Sequence, residues 1–78
     1  MKLDELINKL SSEPLIENKY CIGRASDNKY CIMQENSEWV TFYYERGCKE
    51  RLKRYVNEEE ACIAFYETLM KVKSRMLK

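Results

Sequence analysis

The chain has 78 residues, 45% hydrophobic and 35% charged, with a net charge of +1, two glycines and one proline. That length holds one small domain, residues 1–78, with a compact core and little volume for a deep catalytic cavity. The composition excludes a disordered chain, and the near-neutral charge argues against a strongly basic nucleic-acid module. The neutrality conceals an asymmetry, because residues 1–45 carry net −3 and residues 46–78 net +4.

The first thirteen residues, MKLDELINKLSSE, are charged throughout and lack the apolar run of a secretory signal. No stretch is long and apolar enough to span a bilayer. A cytoplasmic protein without membrane contact is therefore expected, with its four cysteines reduced. Leu3, Leu6, Ile7 and Leu10 form one apolar stripe, which predicts a short helix. Pro14 disfavours helical geometry at Glu13, so this helix should stop near Ser12. Next, KYCI occurs at 19–22 and again at 29–32, separated by the turn formers Ser26, Asp27 and Asn28. The pair reads as an antiparallel hairpin, with strands over 18–24 and 28–34.

Residues 35–37, ENS, form the next turn, and Trp39–Glu45 is the clearest strand, dense in aromatic and β-branched residues. Trp39, Thr41 and Tyr43 alternate with Val40, Phe42 and Tyr44. Arg46-Gly47 marks a tight turn into a highly charged strand, about 48–55. Lys49, Arg51 and Lys53 should share one face there, with Leu52 as the main inward contact. Such a strand suits a sheet edge. Asn57 has the spacing to cap a helix by accepting from the Glu60 amide. Glu58, Glu59 and Glu60 then sit at the positive end of the helix dipole, with Lys71, Lys73 and Arg75 toward the negative end. Ala61, Phe65, Leu69, Val72 and Met76 form its buried stripe. The predicted fold is α+β, in the order α-β-β-β-β-α. It is a four-stranded antiparallel sheet with both helices on one face and the other face open.

Catalytic chemistry finds little support. Histidine is absent, so Cys and Ser lack the usual base. No two cysteines lie closer than ten positions, unlike the close pairs of structural zinc sites. Buried free thiols are the simpler reading of Cys21, Cys31, Cys48 and Cys62. There is no Gly-rich phosphate loop. A non-enzymatic protein is expected, with no cofactor and no metal. Two binding readings remain. Lys49, Arg51, Lys53 and Arg54 beside Tyr43, Tyr44 and Tyr55 form a basic, aromatic strand of the kind that holds single-stranded nucleic acid, although the RNP-type motif is missing. Trp39, Thr41 and Tyr43 on an open sheet face would instead form a protein-binding patch, against which stands the frequent burial of a lone Trp.

The segment WVTFYYERGCKERLKRYVNEEEACIAFYETL, residues 39–69, resembles small bacterial immunity proteins encoded beside polymorphic toxins. Trp39, Tyr43, Glu45, Arg46, Gly47, Tyr55, Glu58, Glu60, Ala61 and Phe65 fit that pattern. The resemblance implies a cytoplasmic protein that binds and neutralises a cognate toxin without catalysis; the exposed sheet edge and open face leave a monomer or weak dimer as the expected state. Its expected contact surface is the acidic aromatic strand: Glu35, Glu38, Trp39, Thr41, Tyr43, Glu45 and Arg46. The basic edge Lys49, Arg51 and Lys53 is the competing face if the toxin is acidic. The alternative function is a small nucleic-acid-binding or regulatory domain that uses the basic edge strand.

Overall fold

The computed structural model describes residues 1–77. Helix α1 (Leu3–Ser11) and a single 3-10 turn (Pro14–Ile16) precede four strands, β1 (Tyr20–Ile22), β2 (Lys29–Glu35), β3 (Glu38–Glu45) and β4 (Cys48–Tyr55). Helix α2 (Glu58–Met76) follows. The class is α+β, and the sheet order is β1-β2-β3-β4. The molecule is flat, 37 × 30 × 16 Å, with one layer of helices on one layer of sheet.

The sheet is mixed, not wholly antiparallel. β1 pairs with β2 in parallel, so that Tyr20, Cys21 and Ile22 lie beside Tyr30, Cys31 and Ile32. The two KYCI copies are therefore stacked side by side rather than folded into a hairpin. A parallel pair ordinarily needs a crossover of about a dozen residues or more. Here the strand to be retraced is only three residues long, and residues 23–28 suffice to return the chain. Gly23, at φ +86°, starts that return and donates to the Ile32 carbonyl at 2.8 Å. The loop closes onto the far end of β3: the Asn28 amide donates to the Tyr44 carbonyl, and Asp27 Oδ1 accepts from the Arg46 amide.

β2, β3 and β4 form the expected antiparallel meander. Arg46 and Gly47 both have positive φ, +53° and +79°, as a two-residue hairpin turn that follows the sheet twist requires. The β3–β4 ladder is interrupted once. Thr41 faces Lys53 and Tyr43 faces Glu50, which leaves Arg51 and Leu52 together opposite Phe42. Arg51 takes up the extra residue at φ +57°.

The helices share one face of the sheet. Leu6, Leu10, Ile16, Ile32, Ala61, Cys62, Phe65 and Leu69 form the main core. Tyr20, Ile22, Tyr30, Trp39 and Tyr55 pack against it from the sheet. Val72 is half-buried, whereas Ile7 and Met76 are exposed although they belong to the predicted stripes. The 3-10 turn is a contributor the sequence pattern did not reveal, since it drives Ile16 into the core. Asn57 caps α2, accepting from the Glu60 amide at 2.9 Å. α1 has no side-chain cap of its own. Instead Glu58 of α2 accepts from the Leu3 amide at 2.6 Å, and Lys73 pairs with Glu13 at 2.6 Å. These contacts pin α1 and the 3-10 turn alongside α2, running in the same direction.

The opposite sheet face is not open. It carries a second cluster of Cys21, Cys31, Val40 and Phe42, with Met33 and Tyr44 at its margin. Val40 is 0% exposed and Phe42 2%. Leu52 does not point inward: the bulge places it away from the helices, and it is 37% exposed.

Cys21, Cys31 and Cys62 are buried free thiols, but Cys48, beside the β3–β4 turn, is exposed. Burial pushes the Cys31 and Cys62 thiols above their ordinary pKa. In native protein, a thiol-specific reagent at neutral pH should therefore label Cys48 rapidly, while Cys31 and Cys62 react only after unfolding. Mass-mapped labelling, before and after denaturant, checks this. Fast native labelling of Cys31 would contradict the outer cluster.

Candidate functional site: a cationic groove between sheet and helix

The bulge at Arg51 divides the charges of β4 between two faces. Before it, Lys49 lies opposite Tyr44, away from the helices. After it, Lys53 lies opposite Thr41, on the helix side, and Arg54 opposite Val40, on the outer side. The expected row of Lys49, Arg51 and Lys53 is thus broken, and its two parts have different surroundings.

On the outer face the two β4 cations, Lys49 and Arg54, both have carboxylate partners. Glu35 accepts from Lys49 Nζ at 3.1 Å through Oε2 and pairs with Arg54 Nη1 at 3.1 Å through Oε1. Arg54 also reaches Glu38 at 3.8 Å. Lys49 lies over the Phe42 ring, 5.0 Å from its centroid. Exposed pairs of this kind add little Coulomb stabilisation, but their aliphatic stems shield apolar surface, here Phe42 and Val40. The Lys49 ammonium, and then the Arg54 guanidinium, hold the Glu35 carboxyl below its ordinary range.

On the helix side a groove runs between β3–β4 and the C-terminal half of α2, with a volume of about 330 Å³. Arg51 and Lys53 line it from β4; Lys71 and Arg75 line it from α2. Glu67 is its one carboxylate, and Tyr30, Thr41, Tyr43, Tyr55 and Thr68 supply hydroxyl groups. Phe65 and Val72 form part of its floor. A second hollow of about 370 Å³ continues past Tyr30, Tyr43 and Arg75 toward Lys19 and Asn28. The Tyr30 and Tyr43 rings pack on each other, with centroids 4.9 Å apart. Among the described residues, none of Arg51, Lys53, Lys71 and Arg75 has a carboxylate within 4.0 Å; the ion pairs present all involve other cations.

The residues expected as a contact surface fall in three places. Glu35 and Glu38 are engaged with Lys49 and Arg54 on the outer face. Trp39, Thr41 and Tyr43 turn toward the helices, Trp39 against the main core and the other two into the groove. Glu45 and Arg46 lie at the other end of β3, seven residues from Glu38, roughly 23 Å along the strand. Arg51, Lys53, Thr41, Tyr43 and Tyr55 are binding candidates from sequence alone, whereas Lys71 and Arg75 read there only as helix-dipole partners and Tyr30 has no functional role. Their spacing of four, on the same helix flank as Glu67, was the available signal.

Among the described residues there is no cluster of three metal-ligating side chains, and no helix is long and apolar enough to cross a membrane. Comparison with models of protein families, with curated proteins and with solved structures gives no match.

The Glu35 pairing has a pH signature. A carboxyl whose folded pKa is depressed contributes stability that is complete above its unfolded value, ordinarily 4.5, and is lost as pH falls through the folded value. Glu35→Gln should therefore melt below the wild type at neutral pH. The gap should narrow as pH falls below about 4.5 and close once Glu35 is protonated in the folded protein too. A gap that stays constant with pH would contradict the pairing.

Proposed function

We propose that this protein is an immunity-type inhibitor. It binds the toxic domain of a neighbouring gene's product in the cytoplasm and neutralises it by covering surface, with no chemistry of its own. The observation that carries this reading is the groove, where four cations gather around a single carboxylate, Glu67, and among the described residues none of the four is ion-paired. Like charges held together repel, and an acidic partner surface relieves that repulsion and speeds encounter. Arg and Tyr, both present there, are the side chains that most often dominate protein–protein binding.

The residues that carry the resemblance to immunity proteins build the scaffold of the groove. Gly47 and Arg46 make the turn that returns β4 beside β3. Phe65 and Ala61 seat α2 on the sheet, which forms the groove between them. The favoured contact surface is the groove and its rims, since Glu35 is held by Lys49 and Arg54 within the chain and Glu38 lies beside Arg54 at 3.8 Å. A stable interface needs roughly 800 Å² per partner. The surface here totals 5179 Å², so such a contact uses a substantial part of it.

The second reading, nucleic-acid binding, draws on the same cations and tyrosines. It is weakened by the Tyr30–Tyr43 contact, which uses ring surface that bases would otherwise stack on.

Co-expression separates the two. When the product of the adjacent upstream gene is induced, it should arrest growth alone. Growth should recover when this chain is present, and the two proteins should co-purify as a stoichiometric complex. Absence of toxicity, or toxicity without rescue or complex, would overturn the inhibitor reading.

A further inference from the structure

We infer that the groove between β4 and α2 is a binding site for an extended acidic peptide segment, one carrying several Asp or Glu side chains. The inference rests on the inhibitor reading only for which protein supplies that segment. The chemistry follows from the groove itself.

Its cations stand on two facing walls. Lys71 and Arg75 are one helical turn apart on α2, so their Cβ atoms are about 6 Å from each other. Arg51 and Lys53 face them from β4. This distribution serves charges spread along a chain better than one compact anion, which is bound by donors converging on a point. Phosphate sites usually add backbone amides from a Gly-rich loop or a helix N-terminus. Neither is here: Gly23 and Gly47 both lie outside the groove, and its α2 wall begins at Ala64, beyond the helix start at Glu58. Glu67 on that wall would repel a continuous phosphodiester backbone. A peptide of mixed composition can set a neutral or hydrogen-bonding residue there.

The expected binding is tested with a fluorescein-labelled Glu-Glu-Ser-Ser-Glu-Glu peptide, whose central serines can face Glu67, followed by fluorescence anisotropy. Decathymidylate and inorganic phosphate serve as competitors. This peptide should bind, and its binding should weaken as salt is raised. Lys53→Glu with Arg75→Glu should weaken it by about tenfold or more, because two attractions become repulsions. Lys2→Glu with Arg24→Glu makes the same charge change at exposed positions outside the groove and should leave affinity within about twofold. Thermal melting confirms that both pairs of substitutions fold.

Equal loss from both variants, no peptide binding, or tighter binding of decathymidylate would each overturn the inference. So would displacement of the peptide by phosphate at equal concentration. The two proposals fail separately. A toxin complex that forms without peptide binding sinks only the groove assignment. Peptide binding without toxicity or complex sinks only the inhibitor reading.

Discussion

One extra residue in β4 governs how charge is arranged on this molecule. A regular strand would keep Lys49, Arg51 and Lys53 on one side and Leu52 on the other. With Arg51 in the left-handed region, the alternation reverses midway. Lys49 and Arg54 then share the outer face with Glu35, while Lys53 turns to the helix side. Holding a non-glycine residue at positive φ costs roughly 1–2 kcal/mol, so the bulge persists because its surroundings favour both halves of the strand. One half gains carboxylate partners and covers Phe42; the other meets the wall of α2.

A two-layer domain with helices on one side must still protect the other side of its central strands. This chain does so without a second helix layer. The loop 23–28 folds back at the β1 edge, with Ser26 near the Cys31 thiol, and the stems of Lys49 and Arg54 cover the β4 side. The cost is that two of the strand's cations and the Glu35 carboxylate are committed to the scaffold. The cations left over, Arg51 and Lys53, are the ones available to a partner.

Much of this was legible in local pattern. The Asn57 cap, the stop before Pro14, the Arg46-Gly47 turn and the aromatic strand Trp39–Glu45 each follow from one or two residues with a specific backbone role. The parallel pairing of β1 was not, because Tyr and Ile alternate with Cys identically whichever way a strand runs. The bulge was hidden too, since Arg carries no preference for positive φ that would announce it. From that one slip follow the errors at Leu52 and in the expected basic row. Half of the groove was legible as a basic strand with tyrosines. The other half was not, because Lys71 and Arg75 become groove residues only when α2 lies across the sheet.

The β3–β4 register divides the β4 cations between scaffold and groove. Interstrand nuclear Overhauser contacts in the labelled protein measure it directly. The structure requires Lys53 opposite Thr41, Glu50 opposite Tyr43, and both Arg51 and Leu52 opposite Phe42. An unbroken ladder, with Leu52 on the helix side and Lys53 outside, would contradict the charge division and with it the cationic groove.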